Sequence, residues 1–249
     1  MQSSNDIGNL FSRSWQLLTS NWIIIIPGII IGLLAGVLGA LIAAPGSQLV
    51  YDPFGNPSAV VNGNPLALVS GPVISIIATI LAITYTTGMA GAAWRTGTTT
   101  MGDGKTALER DAGNVLVAMM GMLVLGIVAG VLAPFTLGLS LLAYAVFFLY
   151  TMAAAVVGGH PGVQALKESV LIARHSLITT LIVVLLIGLI AVVTGLFSAS
   201  LSFMPFLGPV VAGIIEQIVV AFVTLVIVGE YLRLRAPGSV TSSTPTAKV

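Results

Sequence analysis

The sequence predicts an all-α membrane protein: six transmembrane helices behind an N-terminal amphipathic helix at the membrane interface. Three observations carry that reading. Of 249 residues, 57% are hydrophobic and 7% charged, against about 25% charged in an ordinary soluble domain. Six apolar stretches, 22–44, 69–94, 114–133, 137–157, 177–199 and 208–232, are each long enough to cross about 30 Å of hydrocarbon as a helix. Their continuous apolarity favours helices, because barrel strands alternate and last only about 10 residues. Finally, when the connections are assigned alternately to two sides, all the basic residues fall on one of them.

Those residues are Arg13, Arg95, Lys105, Arg110, Lys167, Arg174, Arg233, Arg235 and Lys248. The segments 45–68, 134–136 and 200–207 on the other side contain no Lys or Arg. The positive-inside rule therefore places both termini in the cytoplasm. The first apolar run has no basic segment before it and no A-x-A site, so the N-terminus is expected to be retained rather than cleaved. A net charge of +1 from nine basic and eight acidic residues cannot build the basic surface that nucleic-acid backbones require. Without cysteine there is no disulfide, thiolate nucleophile or Cys-ligated metal.

The expected organisation is a cytoplasmic interfacial helix over 1–21, a six-helix membrane domain over 22–235 and a disordered cytoplasmic tail over 236–249. In the first part Ile7, Leu10, Phe11, Trp15, Leu17 and Leu18 fall within one arc of about 160°, opposite Asn9, Ser12, Arg13, Gln16 and Thr19. Ser4, Asn5 or Asp6 can cap its start, and Trp15 suits the headgroup level. It is read as packing on the mouth of the bundle, with independent membrane sensing as the sharper alternative. Pro27-Gly28 should kink helix one. The 45–68 connection is rich in turn signals, Pro-Gly, Asp-Pro, Gly-Asn-Pro and Asn-Gly, and reads as a polar surface loop. The tail is Pro, Ser and Thr rich without periodicity.

Two patterns recur. Short polar helices lead into each odd-numbered span, at 10–15, 107–112 and 165–170, suggesting three helical-hairpin repeats that all enter from the same side. Small residues run along the odd-numbered helices: Gly28, Gly32, Gly36, Ala40 and Ala44 in the first, Gly126 and Gly130 in the third, Ala191, Gly195 and Ala199 in the fifth. Such stripes let backbones approach closely. They predict packing within the bundle, with a homodimer face as the alternative.

Chemistry is sparse. Glu216 is the one charge deep inside a span, about 12 Å from the nearer end of helix six. A carboxyl there is expected to face the bundle interior, holding a proton or meeting water, with Gln217, Thr194 and Ser198 as neighbours. Its functional reading is a proton or cation site; its structural one is a hydrogen-bonded buried carboxyl. Glu230 and Arg233, three apart on one face, read as an interfacial anchor, and Trp22, Trp94 and Tyr231 as aromatic-belt residues. Asp103-Gly104-Lys105-Thr106-Ala107 opens like the phosphoalcohol transferase signature, but Leu108 replaces its arginine and the later glycine and aspartates are missing. His160 and His175 have no neighbouring ligand set. No nucleophile elbow or phosphate loop occurs. The chain is expected to be no enzyme and to need no cofactor.

Phe11-x-x-Ser14-Trp15-x-x-Leu18 before the first span, Ala165-Leu166-Lys167-x-Ser169 leading into helix five, and the closing Gly229-Glu230-Tyr231 resemble the YciC-type six-helix bacterial membrane proteins. They also resemble the related membrane domain attached to some glycerophosphodiester phosphodiesterases. The resemblance implies a multi-pass protein of the bacterial cytoplasmic membrane and no activity, because the phosphodiesterase chemistry of those fusions belongs to a separate soluble domain. The expected role is accessory or scaffold, with lipids, other membrane proteins or a second copy as partners and no nucleic acid; a small transporter or proton-coupled permease using Glu216 is the alternative.

Overall fold

The computed structural model of the protein describes residues 4–43, 47–51, 57–62, 65–201 and 207–235. Its elements run α1 (Ser4–Ser20), a 3-10 turn (Trp22–Ile25), α2 (Ile26–Ala43), a hairpin of β1 (Ser47–Tyr51) and β2 (Pro57–Asn62), then α3 (Pro65–Thr96), α4 (Met101–Leu132), α5 (Leu139–Phe148), α6 (Thr151–Val156), α7 (Gly162–His175), α8 (Leu177–Leu201) and α9 (Leu207–Arg235). Five helical segments are long and apolar enough to cross a membrane, α5 and α6 together forming one of them. α1 and the helix that follows it, bent by 88° at the break, meet the same criterion only as a pair, which makes six if the pair counts as one span. The fold is that of an all-α membrane protein.

α1 turns its amphipathic face inward much as its sequence requires. Leu10, Leu17 and Leu18 are buried, while Asn9, Ser12, Arg13, Gln16 and Thr19 are exposed. Trp15 departs from the apolar arc: it is 56% exposed and touches Phe222 edge-on at 5.9 Å. At the expected Pro27 kink the helix changes type: the 3-10 turn Trp22–Ile25 passes into α2 at Ile26, so Pro27 lies in the first turn of α2, where proline is tolerated.

The three expected repeats differ in one respect. α1 breaks before its span at Asn21, and α7 breaks before α8 at Ser176, whose φ of −125° leaves the helical region. The middle unit has no break: α4 runs as one helix of 32 residues, about 48 Å long. No proline interrupts it, and its start is fixed instead. The Thr100 backbone N–H and hydroxyl both donate to Asp103 Oδ2, at 2.7 and 2.9 Å. The connection expected as a surface loop contains an antiparallel hairpin, pairing Ser47 with Asn62 through Val50 with Ala59. Leu49, Val50, Val60 and Val61 have the side-chain types that favour strands. The tail lies outside the described residues.

The helix ends carrying the basic residues converge. Arg235 Nε lies 4.0 Å from Glu168 of α7, Arg95 of α3 donates to the Val157 carbonyl at 2.9 Å, and Arg110 of α4 to that of Val156 at 2.9 Å. This basic end contains the core: Leu17, Leu18, Ile24, Met89, Ala93, Val115, Tyr150, Val156, Leu225 and Tyr231 are buried together. Toward the far end the spans expose apolar side chains, among them Leu33, Leu34, Ile127, Val131, Leu189, Val193 and Leu196. Such a surface is matched to hydrocarbon.

Candidate functional site

Two places concentrate polar or open structure. The first is a set of seams at the basic end, where broken helices leave backbone groups that must find partners. Asn21 ends α1 and is 5% exposed. Its amide donates to the carbonyls of Leu17 at 3.0 Å and Gly97 at 3.1 Å, and its Oδ1 accepts from Thr99 N–H at 3.0 Å. One side chain thus ties the α1 break to the α3–α4 connection. Ser169 of α7 does the same at the α5–α6 break: its hydroxyl donates to the Phe147 carbonyl at 2.8 Å and accepts from Tyr150 N–H at 3.1 Å. Beside it the Tyr150 hydroxyl and Thr180 Oγ1 lie 3.1 Å apart.

Glu230 is fully buried, and its Oε1 accepts from Arg233 Nη2 at 2.7 Å. The expected interfacial anchor is therefore a core ion pair. Its Oε2 finds no hydrogen-bond partner among the described residues. Tyr231 is likewise buried rather than belted at the interface, and its hydroxyl accepts from Arg235 at 3.0 Å. Trp94 is half-buried, donates its indole N–H to the Leu225 carbonyl at 2.8 Å and lies beneath the Arg13 guanidinium, 4.8 Å from the ring centre. Trp22 alone of the three is strongly exposed, at 66%. Ahead of the crossing segment that starts near Asn114, the Asp103 carboxyl is held below the usual carboxylate range, chiefly by the Thr100 backbone hydrogen bond.

The second place is a half-open cavity of about 490 Å³ lined by α3, α4, α5, α6, α8 and α9, with Met122, Phe148, Ile187, Ala191, Val220 and Val223 on its walls. That volume is in the range of small-molecule sites. Its polar side chains are few, and two already have partners: the Tyr144 hydroxyl donates to the Met122 carbonyl at 2.9 Å, and that of Thr224 to Val220 at 2.8 Å.

The residues singled out in the sequence are not brought together as one site. Glu216 is exposed, not turned into the buried core as expected. The reason is helical phase: α9 buries Ala221, Leu225, Val228 and Gly229, and Glu216 stands half a turn from Leu225. Gln217 is half-buried on the α2 side, its amide against Gly28, where a Cβ would overlap it. Thr194 donates to the Ile190 carbonyl at 2.8 Å, and the buried Ser198 Oγ has no partner among the described residues. Among those residues no three His, Asp or Glu side chains group as metal ligands would.

The small-residue stripes are packed at only some positions. Gly28 meets Gln217 and Gly126 meets the Tyr144 ring, but a Cβ added at Gly32, Gly130 or Gly195 would have nothing within 4 Å. Ala191 and Ala199 are exposed, while the side-chain surroundings of Gly36, Ala40 and Ala44 lie outside the described residues. Other close approaches lie outside the stripes, at the basic end: Gly88 against Ala107, Gly104 against Tyr85, Gly229 against Trp94. No regular spacing marks these three in the sequence. No protein-family model, curated protein or solved structure matches the chain.

Proposed function

We propose that this multi-pass membrane protein acts as a non-enzymatic accessory or scaffold in the bacterial cytoplasmic membrane, akin to the YciC-type proteins its motifs resemble, with both termini in the cytoplasm. The observation that supports this best is how the basic end uses its acidic groups. Asp111 holds Arg110 at 2.7 Å, Glu230 holds Arg233, Glu168 faces Arg235, Glu109 lies 3.6 Å from Lys105, and Asp103 closes a helix cap. Side chains that a reaction would require are occupied in stiffening the protein. Around this base Arg13, Lys167 and Arg174 are exposed, a charged rim suited to lipid headgroups or to another membrane protein.

A photo-crosslinking residue at Lys167 or Arg174, introduced in native membranes, tests the reading. A discrete protein adduct of the same size from both positions is the expected result. Lipid adducts alone, together with a solute flux in proteoliposomes, would overturn it. One observation favours the second reading, a small transporter: Glu216 continues the face of α9 that lines the cavity. In that case the flux disappears in Glu216→Gln.

A further inference from the structure

On α9 the cavity wall is formed by Val219, Val220, Val223, Thr224, Ile227 and Val228. At about 100° per residue, the first three and Ile227 share one side of the helix, opposite Leu225. Glu216 falls in the middle of that side, one turn beyond Val220 toward the far end. The neighbouring helix repeats the arrangement. Ile187 and Ala191 of α8 line the cavity, and Thr194 and Ser198 follow at i+3 and i+7 from Ala191, extending the same stripe. Two adjacent helices thus carry an apolar cavity face that becomes polar in the same direction, through a carboxyl and two hydroxyls.

The cavity itself is poor at holding water, which needs two to four polar partners. It suits a hydrocarbon or aromatic body. Glu216 is exposed within a membrane span, where a lone carboxylate is costly and a cation offsets that cost. Between Arg174–His175 and Arg233 the chain contains no Lys, Arg or His, so neither α8 nor α9 carries a cation near the level of Glu216. An acyl chain would fill the cavity but leave the carboxyl unmatched. A molecule with an apolar body and a positive charge matches both.

We propose that the cavity and Glu216 together form a binding site for lipophilic cations, the apolar body between α3, α4, α5, α8 and α9 and the positive charge at the Glu216 carboxylate. The site stands whether the protein scaffolds or transports.

The experiment is equilibrium dialysis of tetraphenylphosphonium against the full chain in nanodiscs. Saturable binding is expected, weakened at least about tenfold by Glu216→Gln and by Val223→Trp, which fills the cavity, and unchanged by Glu109→Gln at the distant Lys105 pair. Ala191→Phe narrows the same cavity from α8 and replaces Val223→Trp if that variant does not fold. Absence of saturable binding overturns the proposal. So does binding that survives Glu216→Gln but not Val223→Trp, the behaviour of a site for uncharged chains.

Discussion

The two ends of the helical bundle are built on opposite principles. At the basic end glycines sit against aromatic rings and an alanine, breaks in the helices are closed by single polar side chains, and an ion pair lies in the core. At the far end Gly130 and Gly213 of the same helices face nothing, and apolar side chains project outward. The contrast is visible between spans too: 39% of the α3 span is buried, against 11% of α8. Water drives no helices together inside a bilayer, so close packing and hydrogen bonds must do it, and here they are concentrated where the helices leave hydrocarbon. The basic end defines the arrangement, and the far end is free to adapt to lipid.

If so, the costliest single change is at the core ion pair. Arg233→Ala leaves Glu230, fully buried, without its guanidinium donor and is expected to cost about 3–5 kcal/mol. Glu230→Ala should cost less, because Arg233 is 28% exposed and can turn outward. Reversible unfolding in mixed micelles measures both, and equal effects would contradict the burial difference. Next come the seams. Ser169→Ala removes the only side-chain donor shown for the Phe147 carbonyl and the acceptor shown for Tyr150 N–H, and Asn21→Ala opens three bonds. Each is expected to cost about 1–3 kcal/mol, against almost nothing for exposed Ser12→Ala.

The smallest effect is at the α4 cap. Asp103→Asn should cost at most about 0.5–2 kcal/mol. Because the folded carboxyl titrates below its unfolded value, its contribution is present above the ordinary range near pH 4 and is lost as pH falls through the folded value. The wild-type advantage over Asp103→Asn, followed by thermal shift, should therefore shrink on acidification. An advantage independent of pH would remove the cap from the account.

How much of this is legible in the sequence follows from the period of each signal. Hydrophobic runs of span length are unambiguous, so the crossing helices and the one-sided basic residues can be read directly. The inward face of α1 follows from its 3.6-residue period. Asn21 and Ser169 cannot be found that way, because their role depends on a break in another segment: Ser169 lies in α7 but serves the α5–α6 junction. The glycine stripes mislead for a related reason. Four-residue spacing shows that a helix could pack closely along one face, but not that a neighbour is there at Gly32 or Gly130. The cost of a charge in hydrocarbon points Glu216 inward; helical phase against Leu225 turns it out, onto the face that the cavity shares.

The claim that the basic end holds the fold is tested most directly by a matched pair of glycine substitutions in detergent thermal-shift measurements. Gly88→Leu drives a side chain into Ala107, which cannot move aside, and overpacking should cost at least about 1–3 kcal/mol. Gly130→Leu enters open space and replaces a glycine in the last turn of α4, a gain of at most about 1 kcal/mol, so the melting temperature should hold or rise. Equal losses at the two positions would mean that the far end is packed as tightly as the basic end, and the division between them would fail.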